Sequence, residues 1–298
     1  MVVDMNEIPI EARPTLKEAG LDFNHFAYFT RPIAAALPSR TPGAADIHWI
    51  QLEALINKLK SGDFSAAEDI LRLCRETTDW QMKFAATRVL GHAGTIDCFK
   101  RMREELEQHP MRKQESIDVP SRTLVLTYCR AFALWGRLDV IPVLMDQYLA
   151  LRLKQTPEIS LLPLLMSDLL VDDDSTMIAH DPPEDALEDY LNLVMNQYDA
   201  VTAKHGSDKV FVFRGDLYSV RAIAERMRHL TTPYQAADLT TLRERFEPAT
   251  GIDCSVIFSE EDVSTLAAAT IAESFLESDD GKKFEPGRRY FFGHPIPE

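Results

Sequence analysis

The sequence predicts an all-α protein, an α-α superhelix of stacked helical hairpins, on three observations. Apolar residues recur at helical spacing from about Asp46 to Leu230, glycine is scarce at 12 in 298 residues, and one inter-helix turn returns after 42 residues. Spacing of i, i+3/4, i+7 marks one buried stripe per helix. Few glycines disfavour an all-β chain, which needs many tight turns. A fixed period of this length is the mark of stacked helical hairpins.

The elements follow in order. One helix presents Phe64, Ala67, Leu71 and Cys74, the next Met82, Ala86, Val89 and Leu90, and a third Ile96, Phe99, Met102 and Leu106. Ser65 with Glu68, and Thr78 with Gln81, have the spacing of a capping box, in which each side chain satisfies an orphan backbone N–H. Gly94 stands where a C′ residue is needed, and His109-Pro110 stops the third helix. Gly94-Thr95-Ile96-Asp97 then returns as Gly136-Arg137-Leu138-Asp139. Around the second copy, Leu124, Tyr128, Ala131 and Trp135 form one stripe, and Ile141, Leu144, Tyr148 and Leu151 another. The stripes predict that Trp80, Phe84, Trp135, Leu144 and Tyr148 are core residues.

The segment Trp80-Gln81-Met82-Lys83-Phe84-Ala85-Ala86-Thr87-Arg88-Val89-Leu90-Gly91 resembles the first helix of a HEAT repeat. Leu59 to Glu68 is closer to tetratricopeptide turns, so the repeats are degenerate. The likeness is good over residues 46–155 and loose over 156–230. It implies the fold and no particular chemistry, since HEAT-like proteins are mostly binding scaffolds.

The flanks differ in composition. Residues 1–45 hold five prolines (Pro9, Pro14, Pro32, Pro38, Pro42) and the aromatics Phe23, Phe26, Tyr28 and Phe29, which suits an irregular cap over the first hairpin. Residues 46–230 form the helical-repeat body. Within it, a helix led by Pro183 carries the stripe Leu187, Tyr190, Val194, Tyr198 and Val201, and Val210-Phe211-Val212-Phe213 reads as a strand or a buried loop. Residues 231–298 supply C-terminal helices, the last opening at Ser259-Glu260-Glu261-Asp262, and an aromatic tail. The three segments are expected to form one continuous structural unit.

Function is carried by charge. The chain has 47 acids against 32 bases, a net of −15. Between Gln155 and Ala203 there is no Lys or Arg but eleven acids: Glu158, Asp168, Asp172, Asp173, Asp174, Asp181, Glu184, Asp185, Glu188, Asp189 and Asp199. Such a field attracts basic partners and repels nucleic acid. No apolar run is long enough to span a membrane. Met1 to Pro14 lacks a basic region followed by an apolar core, so no secretory signal is read there. Cys74, Cys98, Cys129 and Cys254 lie singly among apolar positions, which reads as buried thiols in a cytoplasmic protein.

The catalytic patterns fail in turn. There is no C-x-x-C, H-E-x-x-H, G-x-S-x-G, P-loop or G-x-G-x-x-G. Asp172 to Asp185, with His180, has hard-ligand chemistry for Ca²⁺, Mg²⁺ or Mn²⁺. As an EF-hand it places Met177 where Gly is required and Pro183 where Glu is required. The expectation is a non-catalytic protein-binding module without cofactor or metal. Its acidic surface is Asp172, Asp173, Asp174, Asp181, Glu184, Asp185 and Glu188, and its partner is a protein with a basic surface.

Tyr290, Phe291 and Phe292 are a further candidate. They read either as a lid whose neighbouring arginines stay wet, or as an interface anchor of favoured residue types. An acidic degenerate-repeat chain without a catalytic motif resembles bacterial immunity proteins, which neutralise toxins. That resemblance implies an inhibitor whose partner is a toxin. A general helical scaffold or adaptor, and a metal-dependent enzyme working at Asp172–Asp185, are the competing readings.

Overall fold

The computed structural model of the chain describes residues 45–108, 119–153, 160–171, 177–230, 236–257 and 263–298. Among them the chain is all-α, with eleven α-helices and two short antiparallel hairpins. In chain order these are α1 (Ala45–Lys60), α2 (Ala66–Glu76), α3 (Trp80–Ala93), α4 (Ile96–Gln108), α5 (Val119–Trp135), α6 (Ile141–Arg152), α7 (Leu161–Leu170) and α8 (Leu187–His205). Then come β1 (Val212–Phe213), β2 (Asp216–Leu217), α9 (Val220–His229), α10 (Ala236–Thr250), α11 (Thr265–Glu277), β3 (Tyr290–Phe291) and β4 (His294–Pro295). The Pro-rich cap expected over residues 1–45 lies outside the described residues, save Ala45.

Two compact units result. Among the described residues, one comprises 45–93 together with those of Ser219–Glu298; the other comprises those of Gly94–Tyr218. The second is thus inserted in the sequence of the first, and the break drawn after Leu230 falls inside the first unit. Successive helices pack on each other within each unit: α1 on α2 and α2 on α3, α9 on α10 and α11, α4 on α5, and α7 on α5 and α6.

Periodicity placed the helices well, and tertiary structure revised their ends. The stripe residues of α2 and α3 are buried, as are Phe99, Met102 and Leu106 of α4. The side chain of Trp80 is outside the described residues. Phe84 is only half-buried, because Met82, Ala85, Ala86 and Val89 set the inward line of α3 and position 84 falls beside it. The capping boxes are displaced. The Ser65 hydroxyl donates to the Asp63 carboxylate at 2.5 Å rather than capping α2. Asp79, not Thr78, accepts from the Met82 amide at 3.4 Å. Ser219 and Ser264 are true N-caps, accepting from Ala222 at 3.2 Å and Ala267 at 3.1 Å. The last helix begins at Thr265, six residues after the predicted start.

The repeated glycine turn is not a backbone repeat, since Gly136 has a φ of 81° and Gly94 does not take a positive φ. A different element recurs, 78 residues apart. The pairs Val212↔Leu217 with Phe213↔Asp216, and Tyr290↔Pro295 with Phe291↔His294, make two hairpins of one register. Both close on an X-Gly turn with positive φ at both positions, Arg214 (55°) with Gly215 (74°) and Phe292 (50°) with Gly293 (78°). That is the tight turn whose twist matches paired strands.

Each turn caps a helix. The amides of Arg214 and Gly215 donate to Asp168 and Leu169 at the end of α7, both at 2.9 Å. Those of Phe292 and Gly293 donate to Pro248 and Ala249 at the end of α10, both at 2.8 Å. Helix C-termini leave carbonyls without intrahelical partners, and these amides satisfy them.

The cores are aromatic. In the second unit Phe99 stacks on Trp135 at 4.1 Å, and Phe211 meets Trp135 edge-on at 5.9 Å. In the first, Phe246, Phe275, Phe284 and Tyr290 form a chain of rings with centroids 5.1, 5.3 and 4.7 Å apart. Charge is buried there too. Arg243 pairs with Glu247 at 2.8 Å, both side chains wholly inaccessible, and Arg88 pairs with Glu244.

Candidate partner-binding surfaces

The acidic loop is held by one cation from outside it. Arg152, the last residue of α6, pairs with Asp181, reaches Glu184 at 3.2 Å and donates to the Pro182 carbonyl at 2.8 Å. Tyr148, one helical turn earlier, accepts from Arg152 at 2.8 Å and donates to Asp181 at 2.6 Å. Tyr190 of α8 packs on Tyr148 at 5.5 Å and donates to the Ile178 carbonyl at 3.1 Å. Burial and the hydrogen bond to Asp181 push the Tyr148 phenol above its ordinary range, and burial does the same to Tyr190. The stretch that has no base in sequence therefore has one in space. The only advance signal was that Arg152 follows Tyr148 by four residues, on one helix face.

The remaining acids divide clearly. Asp185, Glu188, Asp189 and Asp199 are exposed, and among the described residues none of the four is in an ion pair. Asp189, Asn192, Asn196 and Asp199 follow helical spacing along the wet side of α8, opposite the buried Tyr190, Val194 and Val201. Asp172, Asp173 and Asp174 lie outside the described residues. Among the described residues no group of three or more His, Cys, Asp or Glu side chains is placed to hold a metal ion. None of the described helices is long and apolar enough to cross a membrane.

The aromatic tail takes an intramolecular role. Tyr290 and Phe291 are buried, so neither ring is an exposed anchor for a partner; Phe292 is half-buried. The Tyr290 hydroxyl accepts from the Glu285 amide at 2.9 Å and donates to the Lys283 carbonyl at 3.2 Å. Arg289, expected to stay wet, is 6% exposed and donates to the Gly91 and His92 carbonyls at the end of α3, both at 2.8 Å. Those carbonyls lack helical partners and the segment that closes over them is apolar, so the guanidinium is drawn in. Lys60 lies 5.0 Å from the centre of the Phe292 ring.

Beside this tail opens a cleft of about 680 Å³. Its lining includes Phe275, Phe284 and Phe292, the hydroxyls of Thr250, Thr270, Ser274 and Ser278, the Lys283–Asp280 pair, and His294. Sequence reading missed it, because residues 250–294 meet there only after folding.

No family model, curated protein or solved structure matches this chain. The geometry therefore stands alone. All four cysteines are buried and free, and burial pushes the Cys129 and Cys254 thiols up, which disfavours thiolate chemistry.

Proposed function

We propose that the protein is a non-catalytic binding module, an immunity protein or inhibitor, which captures a basic protein through the solvent face of α8. One observation carries this reading: Glu188, Asp189 and Asp199 stay exposed on α8 and Asp185 on the short turn just before it, while the nearby cation, Arg152, is engaged with Asp181 and Glu184. A surface of one sign speeds encounter with an oppositely charged partner and rejects like-charged ones. The same Arg152 contacts weigh against a metal-dependent enzyme at this loop, because a guanidinium already satisfies two of the proposed ligands.

The test uses the whole chain as bait, wild type beside a variant carrying Asp185→Asn, Glu188→Gln, Asp189→Asn and Asp199→Asn. A basic protein should be retained by the wild type, released as salt rises and lost by the variant, whose helical circular dichroism should be unchanged. A partner whose capture ignores both salt and substitutions places the interface elsewhere. Heat evolved with Mg²⁺, Mn²⁺ or Ca²⁺ in calorimetry, lost with Asp181→Asn, would favour the enzyme.

A further inference from the structure

The twin hairpins differ in what meets their turns. In the second unit the turn is covered by α8: Lys204 donates to the Gly215 carbonyl at 3.1 Å, His205 approaches the same oxygen at 3.1 Å, and Lys204 pairs with Asp216. A Cβ placed on Gly215 would stand 2.7 Å from the Leu170 carbonyl oxygen, so the space is full. The spacing between hairpins, Val212 to Tyr290, is also the spacing between the helices before them, Leu187 to Thr265. On that spacing Lys204 and His205 correspond to Lys282 and Lys283.

The first unit withholds these contacts. Here α11 ends at Glu277, and Lys282 and Lys283 turn to Asp279 and Asp280. Among the described residues no side chain donates to Gly293, and nothing lies within 4 Å of where its Cβ would be. The space so left is the cleft of about 680 Å³, with Gly293, Phe292 and Asp280 in its lining.

We propose that this cleft receives a Lys or Arg side chain of a basic protein partner. The incoming cation stands where the sister unit places the end of its own helix. The Phe292 ring already accepts Lys60 at 5.0 Å, as aromatic rings accept cations. Where the sister unit has Asp216 beneath its lysine, the first unit has His294, and the carboxylate in the cleft lining is Asp280. The inference rests on the reading that the partner is basic, but not on the α8 face as the point of contact.

The experiment titrates an acetylated, amidated Gly-Arg repeat peptide into the full chain at low salt, followed by amide chemical shifts. Gly293, Ser274 and Ser278 should move. Asp280→Asn should weaken binding at these amides by about fivefold. Lys283→Met, which releases Asp280 from its internal partner, should tighten binding by a similar factor. Both side chains are exposed, so neither change should alter the circular dichroism. Neutralising the α8 acids should leave the cleft shifts in place, which separates this proposal from the first. Silent cleft amides beside moving α8 amides would overturn it and leave the acidic-face reading standing. A weaker complex with Lys283→Met would mean an anion site and would also overturn it. So would 1,4-diaminobutane binding as tightly as the peptide, since the occupant would then be a small amine.

Discussion

Arg214 and Phe292 occupy the same backbone position in two hairpins 78 residues apart, with φ of 55° and 50°, and each amide caps the end of a helix. A left-handed φ is uncommon for a non-glycine residue and costs about 1 kcal/mol or more. The strain is offset by what it positions: two adjacent amides aimed at two orphan helix carbonyls. The two units thus share one device for closing a helix end, although their sequences at these turns are Phe-Arg-Gly-Asp and Phe-Phe-Gly-His.

Arg289 extends that device to α3. Arg289→Ala should destabilise the first unit by about 2–4 kcal/mol, since two buried carbonyls lose a charged donor. Urea denaturation followed by circular dichroism measures it. An unchanged midpoint would show that the Gly91 and His92 carbonyls find other donors.

The second prediction separates the two aromatics that periodicity treated alike. Trp135→Ala should cost about 3–5 kcal/mol, because the indole is 5% exposed and stacked on Phe99. Phe84→Ala should cost about 1–2 kcal/mol, an ordinary value for a residue that is not fully buried. Equal losses would restore Phe84 to the core.

The Arg243–Glu247 pair offers a test of buried charge. Glu247→Gln should cost about 3–5 kcal/mol by leaving a guanidinium buried opposite a neutral group. The double change Arg243→Met with Glu247→Leu should recover much of that loss, because desolvation disfavours the ions that their attraction favours. A double variant no better than the single one would show that the network reaches beyond this pair.

Stability should fall at alkaline pH through the tyrosine latch. Tyr148 and Tyr190 ionise above the ordinary value of 10.0 in the folded chain, Tyr148 through burial and Asp181, and Tyr190 chiefly through burial. Above pH 10 the unfolded chain therefore holds fewer protons than the folded one, and unfolding gains with every further rise. Their contribution is complete below pH 10 and is lost as pH climbs towards the folded values. Melting temperatures between pH 9 and 11 should decline, and less steeply in Tyr148→Phe. A slope that ignores the substitution would assign the loss to other groups.

Local sequence determined the helices, because a stripe at helical spacing has one way to hide from water. It also marked α8 as acidic, since no folding step adds a base to residues 155–203. Tertiary structure decided the rest. Arg152 neutralises part of the acidic loop across 29 residues of chain, and Arg289 reaches α3 across 197, so neither pairing leaves a trace in local pattern. The polar run Arg243-Glu244-Arg245 is largely buried, with Arg243 paired to Glu247 one turn on and Glu244 paired to Arg88 of α3. The cleft exists because residues of α10, α11 and the tail come together only on folding. Spacing along a chain fixes what a helix must bury, whereas the partner that makes burial tolerable is chosen only when distant segments meet.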